Sequence, residues 1–323
     1  MKKRILSIAI PAVIAVVAIF LVVTKVVIPN SNYNAAVELM NSGEYEQAIA
    51  AFEALGGYKD SANKIEECNI DIDYNAALEL MEAGKYEEAY EAFIALGDYK
   101  DSAEKAKSIY EQSIQVRLKT AEVGDVVVFG TYEQDDDRSN GKEDIEWQVL
   151  AKEDNRVLVI SKYALDCQPY NTSHEDVTWE SCTLRTLLNE IFLNAAFSTE
   201  EQAAIAETKV TADKNPNFDT DPGNDTTDKV FLLSIDEANE YFASDSARMC
   251  APTDYAQWRG AWTNDSYKTA SGEATCSWWL RSPCDRQDIA ADVGNDGSVH
   301  FYFGSFVDLD DAVRPALWIN LES

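Results

Sequence analysis

The sequence predicts three parts in order: an N-terminal transmembrane helix, an all-α pair of helical repeats, and an α+β C-terminal domain. Three observations carry this. Residues Ile5 to Thr24 form an apolar run broken only by Ser7 and Thr24. Residues Tyr33 to Lys64 recur 41 positions later at Tyr74 to Lys105. From about Val123 the hydrophobic period changes from helical to alternating.

The apolar run is 20 residues long, which at about 1.5 Å per residue spans roughly the 30 Å hydrocarbon core of a bilayer. Met1-Lys2-Lys3-Arg4 before it is basic, and only Lys25 follows closely. That asymmetry puts the N-terminus in the cytoplasm and everything from about Val26 outside it. The alternative is a cleaved signal peptide, whose apolar region is shorter and ends at a small-residue site. Thr24-Lys25-Val26-Val27-Ile28-Pro29-Asn30 holds no such site, and no cysteine follows for lipid attachment. Pro11 is tolerated near the end of a membrane helix. Residues 1–28 are therefore expected to be a cytoplasmic basic start and a retained single-span anchor in the cell membrane.

The chain has 323 residues, 57 acidic and 27 basic, for a net charge of −30. Such a surface repels a phosphate backbone, so nucleic acid is excluded as a partner. The same charge keeps an exposed protein soluble and attracts divalent cations or cationic partners. Aromatic content of 11% fits a globular fold and not a disordered one. The six cysteines show no zinc spacing. Disulfides are permitted outside the membrane, but their pairing is not readable. Cys68 falls at a repeat position matched by Ile109 and reads as a buried apolar residue. With only His174 and His300 present, histidine-ligated metals and histidine acid–base chemistry have little to draw on.

In the repeat, Tyr45, Ala48, Ile49 and Phe52 recur as Tyr86, Ala89, Tyr90 and Phe93 at helical spacing. Gly43 and Gly84 supply a turn between two helices. Gly56-Gly57 and Gly97-Asp98 end the second helix of each pair, and Asp60-Ser61 and Asp101-Ser102 offer caps to the next. Roughly two thirds of the aligned positions are identical. The helix–Gly-x-Tyr–helix and Ala/Phe pattern resembles the tetratricopeptide repeat, whose usual period is about 34 residues. The seven extra residues are about two helical turns, which predicts a lengthened helix from about Ser61 to Met81. A last helix, about Ser102 to Lys119, would cap the second copy. Residues 29–120 thus read as two repeats plus a capping helix, serving as a stalk or as a half-groove for a protein partner.

In residues 121–323, the stretches Asp125–Thr131, Ile145–Leu150 and Arg156–Ser161 read as strands. Leu184, Leu187, Leu188 and Ile191 form a helical stripe. Ser198 with Glu201, and Ser234 with Glu237, make capping boxes. Val230–Leu233 reads as a buried strand. Further strands follow at Ser277–Arg281, Ile289–Val293, Ser298–Phe303 and Val313–Ile319, with a tight turn at Asn295-Asp296-Gly297. Phe129–Gln134, Ile145–Trp147, Trp179…Leu184-Arg185, Trp278–Pro283 and Val313–Leu317 together resemble an uncharacterised bacterial domain family of unknown function. The ending, an Arg-bearing strand, a Gly hairpin and a closing Arg strand, is similar to the C-type-lectin-like fold shared with formylglycine-generating, sulfatase-modifying enzymes. That resemblance implies a fold and no activity.

The enzymatic family uses a close cysteine pair near its C-terminal strands, for which Cys276 and Cys284 are the candidates. A strand between them would hold them roughly 26 Å apart, and no other nucleophile–base set is readable. No catalytic residues are expected. Asp219, Asp221, Asp225 and Asp228 crowd a Gly/Pro/Asn-rich loop, an oxygen-rich set that suits calcium or simply a solvated loop. Tyr255, Trp258, Arg259, Trp262 and Asp265 combine aromatic and polar groups in one loop, as sugar or peptide recognition requires. Trp278 and Trp279 alternate along a strand, so at least one is core.

The leading expectation is a membrane-anchored, outward-facing bacterial surface protein. Its helical stalk carries a non-catalytic domain that binds a surface glycan or peptide. The alternatives are an envelope scaffold acting through the repeats, and a formylglycine-generating enzyme. No cofactor is expected beyond the calcium candidate.

Overall fold

The computed structural model describes residues 15–321. The basic start, Pro11 and the first ten residues of the expected anchor lie outside the described residues. The chain divides into two compact units, one up to Val116 and one from Arg117 on.

The first unit is helical. One helix runs from Ala15 to Asn41, long and apolar enough to cross a membrane. It does not stop at the end of the apolar run but continues as the first repeat helix. Its Val23–Val27 stretch is a π-turn just ahead of Pro29. Proline offers no N–H to the preceding turn, and a π-turn is a common way for a helix to absorb such a defect.

Helices Tyr45–Glu53, Ser61–Glu82, Tyr86–Leu96, Ser102–Gln112 and Ile114–Thr120 follow. The lengthened helix from Ser61 is present. The capping helix is broken at Ser113, whose backbone is extended. Each repeat makes its own core. Ala36, Ala48, Phe52 and Cys68 are buried in the first, and Tyr74, Ala77, Ala89, Phe93, Ala106 and Ile109 in the second.

The expected aspartate caps are not made. The Tyr33 hydroxyl donates to Asp60 at 2.6 Å, and the Tyr74 hydroxyl donates to Asp101. Neither carboxylate reaches its helix N-terminus. Lys59 and Lys100, both at positive φ, place their ammonium groups 4.3 and 4.5 Å from the Tyr33 and Tyr74 ring centres. The sequence repeat is thus also a repeat of one Tyr–Asp–Lys cluster.

The second unit is β-rich, with curled sheets. Its strands are β1 (Val126–Tyr132), β2 (Glu143–Glu153), β3 (Arg156–Ser161), β4 (Asp166–Pro169), β5 (Thr208–Val210), β6 (Thr226–Asp228), β7 (Thr263–Lys268), β8 (Ala274–Cys276), β9 (Trp278–Pro283), β10 (Ile289–Val293), β11 (Val299–Phe306), β12 (Asp310–Val313) and β13 (Ala316–Asn320). One sheet has the order β1-β2-β3-β13 and another β11-β10-β9-β12-β4, with β5-β6 and β7-β8 as separate ribbons. Both capping boxes form, at Ser198 and at Ser234.

Three expectations change here. Val313–Ile319 is not one strand. It breaks at Arg314-Pro315, and the two halves join different sheets. Pro315 has no N–H for a ladder, so the chain leaves one sheet there and enters the next. Val230–Leu233 is fully buried but makes only a single bridge, Phe231 to Ala316. The expected aromatic loop is a helix, Asp254–Arg259, followed by β7.

Trp278 and Trp279 are both buried, because β9 is covered on both faces. Their indole N–H groups donate to the carbonyls of Arg248 and Gln168 at 3.2 and 2.9 Å. A buried indole needs such a partner. Arg281, on the same strand, spreads its fork over Asp213, Glu237 and the carbonyls of Leu232 and Thr211. Arg314 donates to the carbonyls of Ser161 and Arg248 and lies 5.0 Å from the Trp278 ring centre.

Candidate functional site

The helix Asp254–Arg259 is nucleated by Thr253, whose hydroxyl accepts from the Ala256 N–H at 3.1 Å. Gly260 ends it at φ 125°, a backbone that favours glycine. Three residues apart on this helix, Tyr255 and Trp258 share a face. Tyr255 is buried against Tyr132, ring centres 5.9 Å apart, and its N–H donates to the Gln134 carbonyl at 2.9 Å. Trp258 stacks on Tyr255 from outside. The Arg138 guanidinium lies 5.9 Å from the Tyr255 ring and 5.7 Å from the Trp258 ring. Trp258 and Trp262 are 59% and 68% exposed, unusual for the largest apolar side chain.

Two cavities flank this helix. One, of about 370 Å³, is lined among others by Asp135, Tyr163, Thr253, Gln257, Thr263 and Glu273. The other, of about 480 Å³, is lined by Tyr132, Glu133, Arg138, Lys142 and Tyr255 among others. In the first, Tyr163 donates to Glu273 at 3.0 Å. Burial and this bond push the Tyr163 phenol up. Hydroxyls of Ser271 and Thr269 hold the Glu273 carboxyl below its ordinary value. Hydroxyls, amides and carboxylates beside exposed indoles can hydrogen-bond and stack on a polyhydroxylated ligand.

Not every expected residue faces this surface. Arg259 is an exposed residue whose Nε lies 3.3 Å from Asp166. Asp166 is buried, and burial pushes its carboxyl up. Arg259 therefore compensates a buried acid. Asp265 is exposed and paired with Lys268 at 2.8 Å. Arg138, Tyr163 and Glu273 were not readable as site residues. Arg138 is carried to the helix by the Gln134–Tyr255 hydrogen bond, a tertiary contact with no local signature.

The four candidate calcium ligands do not converge. Asp219 pairs with Lys214 at 2.9 Å, and Asp225 with Lys209 at 2.8 Å. Asp221 accepts from the Gly223 N–H at 3.0 Å. Asp228 is buried, with bonds from Arg185, Trp179 and Thr226. Each charge has a lysine, an arginine or a backbone N–H as its partner. Among the described residues, one acidic group offers oxygens within 4.8 Å of one another: Glu133, Asp135 and Glu143.

Cys276 and Cys284 lie beyond opposite ends of β9. Cys284 receives the Gly304 N–H at 3.2 Å, whereas Cys276 faces Cys250. A hydroxyl–imidazole–carboxylate chain also exists. Ser298 Oγ is 3.2 Å from His300 Nε2, and His300 Nδ1 is 2.7 Å from Asp292. The Ser298 hydroxyl donates to Asp296 at 2.6 Å, so its proton is committed to the hairpin turn. The chain therefore pins the β10–β11 hairpin instead of presenting a nucleophile.

A family model described as a domain of unknown function, DUF6273, matches residues 154–321. The chain belongs to this family. No curated protein and no solved structure matches it. The DUF6273 segment begins in the turn between β2 and β3, so the Phe129–Gln134 and Ile145–Trp147 motifs lie ahead of it. Its span includes Tyr163, Glu273 and both exposed tryptophans, while Arg138 and Gln134 come from outside it.

Proposed function

We propose that this chain is a membrane-anchored, outward-facing surface protein whose C-terminal domain binds a glycan without catalysis. The carrying observation is the pair Trp258 and Trp262, both exposed and each next in sequence to a residue, Gln257 or Thr263, that lines the first cavity. A sugar ring has apolar C–H faces and a polar rim. Exposed indoles offer stacking surface, and Gln257, Thr253, Thr263 and Glu273 offer hydrogen bonds. A C-type-lectin-like fold is part of this reading, supported by the two curled sheets, by Arg281 on β9 and by Arg314 in the break between β12 and β13. So is a tetratricopeptide-like stalk on a retained anchor, supported by the basic start, the long apolar helix and the duplicated helical pairs.

The test is a glycan array probed with the full-length chain in detergent, with Trp258→Ala/Trp262→Ala as comparison. Binding that the double variant loses while keeping its melting temperature supports the reading. Equal binding by both overturns the site. A peptide as the bound ligand would move the proposal to the other ligand class.

The second reading, an envelope scaffold working through the repeats, is favoured by Tyr86, Ile94 and Tyr110. These are 49%, 55% and 41% exposed on the helical unit. Capture of a defined envelope protein that fails with Ile94→Glu would support it.

A further inference from the structure

Cys250 and Cys276 are bridge partners on antiparallel segments, and the Cys276 N–H donates to the Cys250 carbonyl at 2.9 Å. Both are 1% exposed. The Cys276 thiol donates to the Cys250 carbonyl at 3.5 Å, and the Cys250 thiol donates to the carbonyls of Ala251 and Lys162 at 3.4 and 3.6 Å. Directly opposed residues in a hydrogen-bonded antiparallel pair have Cα atoms about 5.5 Å apart, inside the range a disulfide spans. No other cysteine lies opposite a cysteine across a bridge among the described residues. Cys182 lies against the Trp179 carbonyl and the Arg185 N–H. Cys284 lies against Gly304. Cys167 sits between Asp166 and Ala312 on its sheet, and Cys68 is sealed in the repeat core.

We propose that Cys250 and Cys276 are a disulfide site, and that this bond staples the inner wall of the candidate ligand cavity. The cavity wall includes Ala251, Pro252 and Thr253 on one segment and Glu273 and Ala274 on the other, immediately flanking the two cysteines. The Thr253 N–H to Ala164 carbonyl bond and the Ala164–Pro252 bridge hold the outer side of the first segment. The cysteine pair holds its inner side. The oxidant is a low-molecular-weight or protein disulfide. A Cys250 thiolate attacks one of its sulfurs and expels one thiol. The Cys276 thiolate then attacks Cys250 Sγ and expels the second. Two protein S–H bonds are lost and one S–S bond forms, while the oxidant's S–S bond becomes two thiols. Burial pushes the Cys250 thiol up, but the Cys276 thiol and the nearby Arg314 charge outweigh it and favour the thiolate at Cys250. The neighbouring Cys250 and burial hold the Cys276 thiol well above its ordinary value.

The experiment refolds the reduced full-length chain into detergent micelles in a buffer of oxidised and reduced glutathione. The product is then alkylated in denaturant and digested with trypsin without reduction. The expected product is Met249–Arg259 joined to Thr269–Arg281, with Cys68, Cys167, Cys182 and Cys284 alkylated. Cys250→Ser should leave Cys276 alkylated, not re-paired. Reductant should lower the melting temperature of the oxidised parent and leave that of Cys250→Ala/Cys276→Ala unmoved. Separate alkylation of both peptides, stable glutathione adducts on either, or a bond to any other cysteine would overturn the proposal. None of these readouts depends on which ligand the domain binds.

Discussion

Trp258 stacks on Tyr255 with ring centres 5.8 Å apart and planes 26° from parallel, yet Tyr255 is 9% exposed and Trp258 59%. The inner ring is core and the outer one is surface, and the two changes should separate. Trp258→Ala removes little buried area, so its stability should stay within about 0.5 kcal/mol of the parent. Tyr255→Ala empties the space against Tyr132 and should cost about 3 kcal/mol or more. Denaturant melts of both variants check this. Similar losses in the two would mean that Trp258 is structural.

Arg281 should not tolerate lysine. Its side chain is 2% exposed and meets Glu237, Asp213 and two carbonyls at once. A lysine keeps the charge but has a single donor centre, so several buried acceptors lose their partner. Arg281→Lys should lose about 2–4 kcal/mol. A melting curve superimposable on the parent's would show that the fork is not needed.

The local features were legible in the sequence and the tertiary ones were not. Ser198 with Glu201 and Ser234 with Glu237 form their capping boxes because such a box is written within four consecutive residues. The lengthened helix Ser61–Glu82 follows from the repeat period. Asp60 and Asp101 instead serve tyrosines 27 residues earlier, a choice no local pattern records. Pro315 was visible, but the sheet switch it permits depends on where β3 and β4 lie. At the candidate site the exposed tryptophans were named from sequence. Arg138 was not, since it comes from a different sheet's connecting turn.

The repeats should be fragile to cavity formation. Phe52 and Phe93 are each fully buried, edge-on to Tyr33 and Tyr74 at 5.7 and 6.0 Å. Each repeat core is small, so little surrounding structure exists to collapse into the space. Phe52→Ala and Phe93→Ala should each cost about 3–5 kcal/mol. Helical signal lost at lower denaturant in either variant checks this, and an unchanged midpoint would refute the packing described.

Asp311 should contribute stability that grows as pH falls through neutrality. The residue is buried, and one of its carboxylate oxygens has no partner. The other accepts from the Ser277 hydroxyl at 2.6 Å and the Ala312 N–H at 2.8 Å. Burial first, and then the nearby Asp292 charge, push its carboxyl up to about 7 from 3.8. The folded state therefore binds this proton more tightly than the unfolded chain does. The contribution is fully present below about pH 4 and is lost as pH rises through about 7. His300 has the same sign. Its bond to Asp292 raises it above 6.5, so its contribution is present below that pH and fades above its folded value. Asp311→Asn keeps the oxygen that Ser277 and Ala312 use and removes the charge. It should match the parent near pH 4 and exceed it at pH 8 by on the order of 2–4 kcal/mol. Between pH 5 and 7 its stability should change less than the parent's. Denaturant melts at pH 4, 5, 6, 7 and 8 measure the difference. Parallel curves for the two proteins across that range would show that Asp311 is ionised in the fold without penalty.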